Sequence, residues 1–462
     1  MYNREDPSTE RGPHSTTDPN RQGQRKTMNK EQLKTQVCER IEQEAARILG
    51  IGRDIFAHPE LGFKERRTAG IVAKTLRSLN LECREGIALT GVKAVAKGKE
   101  SKAKVMILGE LDAVVCPLHP QADPLTGAAH SCGHHAQITS LLAAAIGLAP
   151  FSKYLDGDIV FAAVPAEEYV ELEYRQRLRE EGKIEFFGGK QEWIRLGEFD
   201  DIDIGMMVHS HAGVTEPKFL IGCDSSGFIG KVIQFTGKEA HAGAEPHNGI
   251  NALNAASLAI MAINAQRETF RESDRIRVHP IITRGGDLVN IVPADVRMET
   301  YVRGKTIAAV VDASQKVNRA LKGSAMSVGA EVEILEIPGY LPLRQNAEVN
   351  GIFASNAESL LDAGCNLYGY ELMGATDAGD LSNLIPFAHL SGGGFDGAAH
   401  SRNFTVSDEV MAYIRPAQVM AMSVIDLLWD QAGLARSIRD TDTAPLDRTG
   451  YIKFWQDFNR VL

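Results

Sequence analysis

Several classes of protein are excluded by what this sequence lacks. Its 462 residues hold only six cysteines (Cys38, Cys83, Cys116, Cys132, Cys223 and Cys365), without the spacing of a disulfide framework. Such a distribution suits free thiols in a reducing compartment, so a cytoplasmic protein is expected. Positive charge is not in excess: 50 Lys and Arg stand against 60 Asp and Glu, a net charge of −10. That argues against a nucleic-acid partner held by charge. Long apolar runs are also missing. The stretch 138–148 contains Thr139 and Ser140 and is too short to cross a bilayer, so no membrane partner is expected. No basic start leads into an apolar core, so no secretory signal is expected.

What is present is a globular composition, 44% hydrophobic and 24% charged. At this length two domains are the default. Residues 1–28 are polar and rich in Arg, Asp, Ser, Thr, Pro and Gly, a composition expected to be disordered, and Met28 is an alternative start. From 30 to 49 apolar residues recur at helical spacing (Leu33, Val37, Ile41, Ala45, Ile48). A turn at 57–62 precedes a second helix at 65–79. Strands are predicted at 92–97 and 104–108; the second is a continuous apolar run, as in a central parallel strand covered on both faces. A helix at 138–148 and a strand at 158–164 follow, and this alternation predicts an α/β layer fold. The charged stretch 168–200 reads as a solvated helix. A strand at 204–208 delivers His209 and His211. From 227 the order is βαββαβ (228–235, 251–269, 276–283, 295–302, 307–320, 331–337), the ferredoxin-like pattern. The expected organisation is therefore a first domain from 29–226 and 341–462, with an inserted domain at 227–340.

Five places carry chemistry. Glu110 and Asp112 end an apolar strand, with side chains on the same side of an extended chain. Cys132-Gly133-His134-His135 offers soft and borderline donors for a divalent ion where a loop enters a helix. Pro165-Ala166-Glu167-Glu168 follows another strand. Adjacent carboxylates repel, which raises one pKa, so one can bind metal while the other handles protons. His209 and His211 end a fourth segment, and a Gly-rich loop at 392–401 brings His400. Each has a bland reading alone: a satisfied structural histidine, a surface Glu pair, a plain loop. Donors at four separate strand ends are hard to explain as scatter, since strand ends are where α/β sheets build sites.

In this order the motifs H-P-E-L-G-F-K-E (58–65), L-D-A (111–113), H-S-C-G-H (130–134), P-A-E-E (165–168), H-A-G (241–243), G-A-T-D-A-G-D (374–380) and D-G-A-A-H-S (396–401) resemble the aminoacylase/carboxypeptidase family of binuclear metallohydrolases. This family includes hippurate, indole-acetyl-amino-acid and aminobenzoyl-glutamate hydrolases. The resemblance spans about residues 33–430. It implies a zinc-peptidase-like α/β catalytic domain with a ferredoxin-like lid that mediates dimerisation, hence a homodimer or higher homo-oligomer. It implies two divalent ions (Mn²⁺ or Zn²⁺) held by Cys132, His134, Glu168, His209 and His400, with Cys132 as the bridge. Glu167 would be the general base, Asp112 would orient an imidazole ligand, and His241 would assist the oxyanion, often from the neighbouring subunit. Asn290 and Arg303 fall where relatives hold a substrate carboxylate. Three departures stand out. Glu110 replaces an Asp or His of relatives, His135 replaces an Asp, and residues 114–130 replace a shorter loop, putting His119, Asp123 and His130 near the rim. His211 rivals His209 as ligand.

The implied activity is metal-dependent hydrolysis of a C–N bond in a small carboxylated, aromatic substrate such as an N-acyl or N-aroyl amino acid. An alternative within the same chemistry is hydrolytic deamination of an aromatic amine, since a 5-nitroanthranilate aminohydrolase is similar to this subgroup. An alternative of a different class is a non-catalytic peptide-binding homologue, whose mark would be loss of the base or a ligand.

Overall fold

The computed structural model describes residues 28–212, 218–370 and 374–462. The expectation of disorder over 1–28 therefore lies, save for Met28, outside the described residues. Two sheets organise the rest. The larger has nine strands, and four of them run parallel through its centre: Asp158–Val164, Lys104–Glu110, Ile204–Ala212 and Phe387–Asp396. Val105–Leu108 are fully buried, as a strand covered on both faces must be. Antiparallel strands Gly91–Ala96 and Cys83–Ile87 extend one edge.

One helix explains how the site is held. His134–Leu148 is buried along its whole length and apolar all round, so it belongs inside the molecule. It packs behind the central strands, with the N-terminal helices and Arg415–Leu428 over its far side. Small residues permit this: a Cβ on Gly147 would lie 2.8 Å from Ile41. The N-terminal helical stretch differs from expectation. It is two helices, Lys30–Gln43 and Ala45–Phe56, broken at Glu44. The buried stripe of Val37, Ile41, Ile48 and Ile55 continues across the break, so the spacing conceals it.

The second sheet has five strands in the order Arg277–Val278, Asp295–Gly304, Gly227–Thr236, Glu331–Pro338, with Ile281–Arg284 also pairing with Asp295–Gly304. Helices Ala252–Ala265 and Ile307–Val328 cover one face, giving the ferredoxin-like arrangement. The expected strand at 276–283 is split, because Pro280 has no N–H for the ladder. The sequence pattern does not reveal how the chain ends. After helix Arg448–Asp457 it returns to this sheet, where Leu462 and Ile334 exchange backbone hydrogen bonds.

The charged stretch 168–200 is only in part a solvated helix. It folds as Leu172–Glu180 and Gly189–Arg195, and Arg175, Lys190 and Trp193 are buried. Glu173, Arg177, Glu180, Glu181 and Lys183 stay exposed, while Arg175, Lys190 and Glu192 are paired inside the molecule, which composition alone does not reveal.

Candidate metal centre

The carboxyl ends of the four parallel strands converge, the position open α/β sheets reserve for sites. Lys104–Glu110 leads to Asp112, Asp158–Val164 to Glu167 and Glu168, Ile204–Ala212 carries His209, and Phe387–Asp396 leads to His400. Cys132 and His134 stand where the preceding loop enters the buried helix. Gly133 makes that entry with φ +83°, and a Cβ there would lie 2.3 Å from Ser210 Oγ. Only glycine fits, since it tolerates a left-handed backbone and the close approach. Ser210 Oγ donates to the Cys132 carbonyl at 2.7 Å, locking the cysteine in place.

Two three-donor groups share Cys132. An inner one is Cys132, His134 and His209; an outer one is Cys132, Glu168 and His400. Within each, every donor atom lies within 4.8 Å of the others. The hydrogen bonds choose which nitrogens face inward. His134 Nδ1 sits 2.9 Å from the Asp112 carbonyl and 3.2 Å from Asp112 Oδ1, which leaves Nε2 as the donor. His209 Nδ1 sits 2.8 Å from the Ser210 carbonyl, and its Nε2 is 3.5 Å from Cys132 Sγ. His400 Nε2 is 3.1 Å from Glu168 Oε1. Asp112 also accepts the Glu168 backbone N–H through Oδ2 at 2.9 Å, so one carboxylate orients two candidate ligands.

Two non-glycine residues at the site have a left-handed backbone, Ala166 (φ 54°) and His400 (φ 59°). Such strain costs about 1–3 kcal/mol and persists only where the surroundings enforce it. Glu65, the last residue of the 58–65 motif, enforces the first. Its buried carboxylate accepts the Ala166 N–H at 2.8 Å and the Thr90 hydroxyl at 2.6 Å. Burial and nearby Asp112 push its pKa up to about 7.

The electrostatics separate the two adjacent glutamates. Burial pushes the Glu167 carboxyl well up, and Glu110 and Glu168 add to it. Burial acts on Glu168 in the same sense, but His400 and His134 outweigh it and hold that carboxyl below its usual range. Environments that drive two neighbouring carboxyls apart divide ligand from proton carrier. Burial and Glu168 also push the Cys132 thiol well up, which is unfavourable for a thiolate unless a cation is present.

A divalent metal fits this donor set. His134 Nε2 is buried and lacks a hydrogen-bond partner among the described residues, although three acidic or sulfur donors surround it. An unpaired buried nitrogen costs about 1–3 kcal/mol, and a cation removes that cost.

Beside the two groups lies a cavity of about 350 Å³. Glu167, His211, Ser225, Thr376 and His389 line it along with the candidate ligands. His211 stands on the wall, edge-on to Tyr370 with ring centroids 5.2 Å apart, and belongs to neither donor group. The lid residues lie elsewhere. His241 Nδ1 accepts the backbone N–H groups of Gly243 and Ala244 (3.2 and 3.0 Å). The Asn290 carbonyl accepts the Ala242 N–H at 2.9 Å, and Arg303 lies over the rings of Phe228 and Tyr301. None of the three lines the cavity.

The expected rim is also displaced. His119, Asp123 and His130 do not line the cavity. His119 Nε2 is 2.8 Å from the Phe404 carbonyl, and Asp123 caps its own turn through Thr126. His135 is buried against His130 and Phe56 (centroids 5.4 and 4.5 Å). Burial, together with neighbouring histidines, pushes His130 down to about 3 and His135 well down, so both serve as neutral packing rings.

The sequence reading missed Lys190. This fully buried lysine pairs with both Glu110 and Asp377. The signal was Gly188-Gly189: a Cβ on Gly189 would lie 1.7 Å from the Pro165 carbonyl. Adjacent glycines where two backbones touch mark a segment docked on the strand end that carries Glu167. The 374–380 motif is explained in the same way. Asp377 holds Lys190, and Asp380 accepts from Tyr451 at 2.8 Å and Trp455 at 3.0 Å.

Comparison with known proteins meets this geometry at several points. Residues 224–326 match the peptidase dimerisation domain of the M20 peptidases. A dinuclear metal-binding peptidase of the M20 family from Bacillus subtilis superimposes with a TM-score of 0.67, at 21% identity, over 84% of this chain and 99% of that one. The chain is similar to the M20 peptidases. Among curated relatives, the Xaa-Arg dipeptidase of Mus musculus is 26% identical over 428 residues, covering 87% of this chain and 90% of its own. The hippurate hydrolase of Campylobacter jejuni is 26% identical over 374 residues, covering 78% of this chain and 92% of its own. No helix among the described residues is long and apolar enough to cross a membrane.

Proposed function

We propose that this chain is a metal-dependent hydrolase of an amide C–N bond in an N-acyl or N-aroyl amino acid or a dipeptide. The observation that carries this is the pair of donor groups sharing Cys132, with Glu167 beside them at the cavity. The named activities of the relatives above support the substrate class. Two divalent ions, Mn²⁺ or Zn²⁺, would be held by Cys132, His134 and His209 and by Cys132, Glu168 and His400. When bound, they polarise the substrate carbonyl and make water acidic enough to give up a proton near neutral pH. Glu167 takes that proton as the water attacks, then returns it to the leaving nitrogen. Its 3.8 Å separation from His134 Nε2 leaves it beside the ligands and outside their contact distance. Tyr340 fixes the Glu167 backbone through a hydrogen bond to its carbonyl.

Self-association belongs to the same reading. Leu288 and Val289 are 61% and 102% exposed on the lid, next to Asn290, within the matched dimerisation domain. Burying them between two copies brings the lid residues His241, Asn290 and Arg303 toward a neighbouring cavity, His241 to assist the oxyanion and the other two to hold the substrate carboxylate.

The test is a product analysis of Zn²⁺- or Mn²⁺-loaded protein with hippurate, p-aminobenzoyl-glutamate, Xaa-Arg dipeptides and 5-nitroanthranilate. Release of a free amino acid is expected. Ammonia without a second organic product would sink the amide reading in favour of aromatic deamination.

A further inference from the structure

Two polar side chains of the cavity wall are buried without a partner. His389 is 4% exposed and Ser225 7% exposed, and both line the cavity. Among the described residues, neither His389 nitrogen nor Ser225 Oγ has a hydrogen-bond partner. Buried polar groups are costly to leave unpaired, so two of them facing one cavity call for a ligand. Neither belongs to the donor groups that share Cys132. The ring of His389 instead stacks on His209, with centroids 5.7 Å apart and planes inclined by 27°.

One side chain ties the two segments together. Gln345 Oε1 accepts the His389 N–H at 3.1 Å. Its Nε2 donates to the His389 carbonyl at 2.7 Å and to the carbonyl of Cys223, just before Ser225, at 2.9 Å. The Ser226 N–H donates to the Gly374 carbonyl at 2.9 Å, joining the same segment to the 374–380 motif. The backbones that carry the pair are thus fixed, while the two side chains are left free to bond. Around them the walls are apolar, with Ala212, Leu343, Ala375, Ala398 and Ala399. No lysine or arginine is among the described residues lining the cavity, so no cationic side chain of that kind meets a carboxylate there. A neutral imidazole offers one donor and one acceptor, and a hydroxyl offers both.

We propose that Ser225 and His389 read the acyl part of the substrate and select an acyl group bearing a neutral hydrogen-bonding substituent, such as a hydroxyl or an aryl amine. The inference rests on the amide-hydrolase reading, in which the carboxylate at the other end of the substrate faces the lid. A substituent that both donates and accepts satisfies the two side chains. An unsubstituted acyl group buries them unpaired, and a charged carboxyl group finds no counter-charge. Selection therefore works mainly by rejecting what leaves the pair unbonded.

The test compares kcat/KM of metal-loaded wild type, S225A and H389F on benzoylglycine and on its hydroxy-, amino- and carboxy-substituted forms at each ring position. In wild type, a hydroxyl or amino group at one ring position raises kcat/KM by about tenfold or more over benzoylglycine, and a carboxyl group there lowers it. Each variant lowers that ratio by about tenfold, whatever happens to the absolute rates. A wild-type ratio near one at every ring position, or a ratio unchanged in both variants, overturns the proposal. Should the variants fail to fold, the wild-type ratio decides alone. Wild type that cuts no benzoylglycine refutes the hydrolase reading for these substrates, a distinguishable failure. Calorimetry with benzoate and with the hydroxy- and aminobenzoates then decides this proposal: a substituted acid binds more tightly than benzoate if it holds, and equal affinities overturn it.

Discussion

Lys190 and Lys231 are both fully buried, one in each sheet's territory, and their surroundings differ. Lys231, in the lid, pairs with Glu336 at 2.6 Å. Ser314 and Asn318 each donate to the same oxygen of Glu336 at 3.0 Å, and Arg460 approaches the other at 3.5 Å. Lys190 sits between two carboxylates, Glu110 and Asp377, with Glu167 close enough to act on it. Burial pushes both lysines down. Around Lys231 burial wins over its single glutamate, while around Lys190 the carboxylates outweigh it and the pKa rises. The lid network is balanced and closed. The one under the site carries surplus negative charge beside an unpaired imidazole nitrogen, which is the condition for holding a cation.

The largest expected contrast is in turnover. Glu167→Gln lowers kcat by about 10²–10⁴-fold with metal content unchanged, whereas Glu336→Gln leaves kcat near wild type; steady-state kinetics and elemental analysis check both. Next comes stability in urea. Lys190→Met strips the buried cation from two carboxylates, Glu110 and Asp377, and Lys231→Met strips it from Glu336, each at about 3–5 kcal/mol. Adding Glu336→Leu to Lys231→Met restores the lid, because a balanced pair is replaceable by apolar side chains. No such rescue exists for Lys190 that keeps metal affinity, and an equally successful one would erase the distinction drawn here.

Glycines sharpen the comparison at smaller scale. Gly133→Ala forces a Cβ against Ser210 at a left-handed φ and costs about 1–3 kcal/mol. Gly323, in the lid helix, has nothing within 4 Å of where an added Cβ would sit, so Gly323→Ala stabilises by about 0.5–1 kcal/mol. Thermal melts separate the two signs. The smallest effect is in pH. Burial raises the Glu336 carboxyl, but Lys231, Asn318 and Ser314 outweigh it and hold it low. A depressed carboxyl contributes stability above its unfolded value of about 4.3, lost as pH falls through the folded value. Stability measured on either side of that window therefore falls more steeply in wild type than in Glu336→Gln.

Much of this was legible in the sequence, and the reason is local. The apolar run at 105–108 and the strand-end carboxylates declare a central parallel strand and its business end. Helical spacing reported the N-terminal helices but not their break, because the buried stripe stays in phase across Glu44. The failures concern charge. Arg175 and Lys190 lie in a run that composition assigns to solvent, and their partners Phe187, Glu110 and Asp377 are distant in kind or in chain. Likewise His130 and His135 looked like part of the chemistry because they adjoin Cys132 and His134. Residues close in sequence point in different directions, and these two point into aromatic packing.

In the proposed centre Cys132 joins two ion sites. Equilibrium dialysis with Zn²⁺ followed by elemental analysis tests it most directly, on wild type and Cys132→Ala. Two ions per wild-type chain, with affinity for both lowered together in Cys132→Ala, is the predicted result. A wild type that retains a single ion, or a Cys132→Ala protein that keeps one site at full affinity, would contradict it.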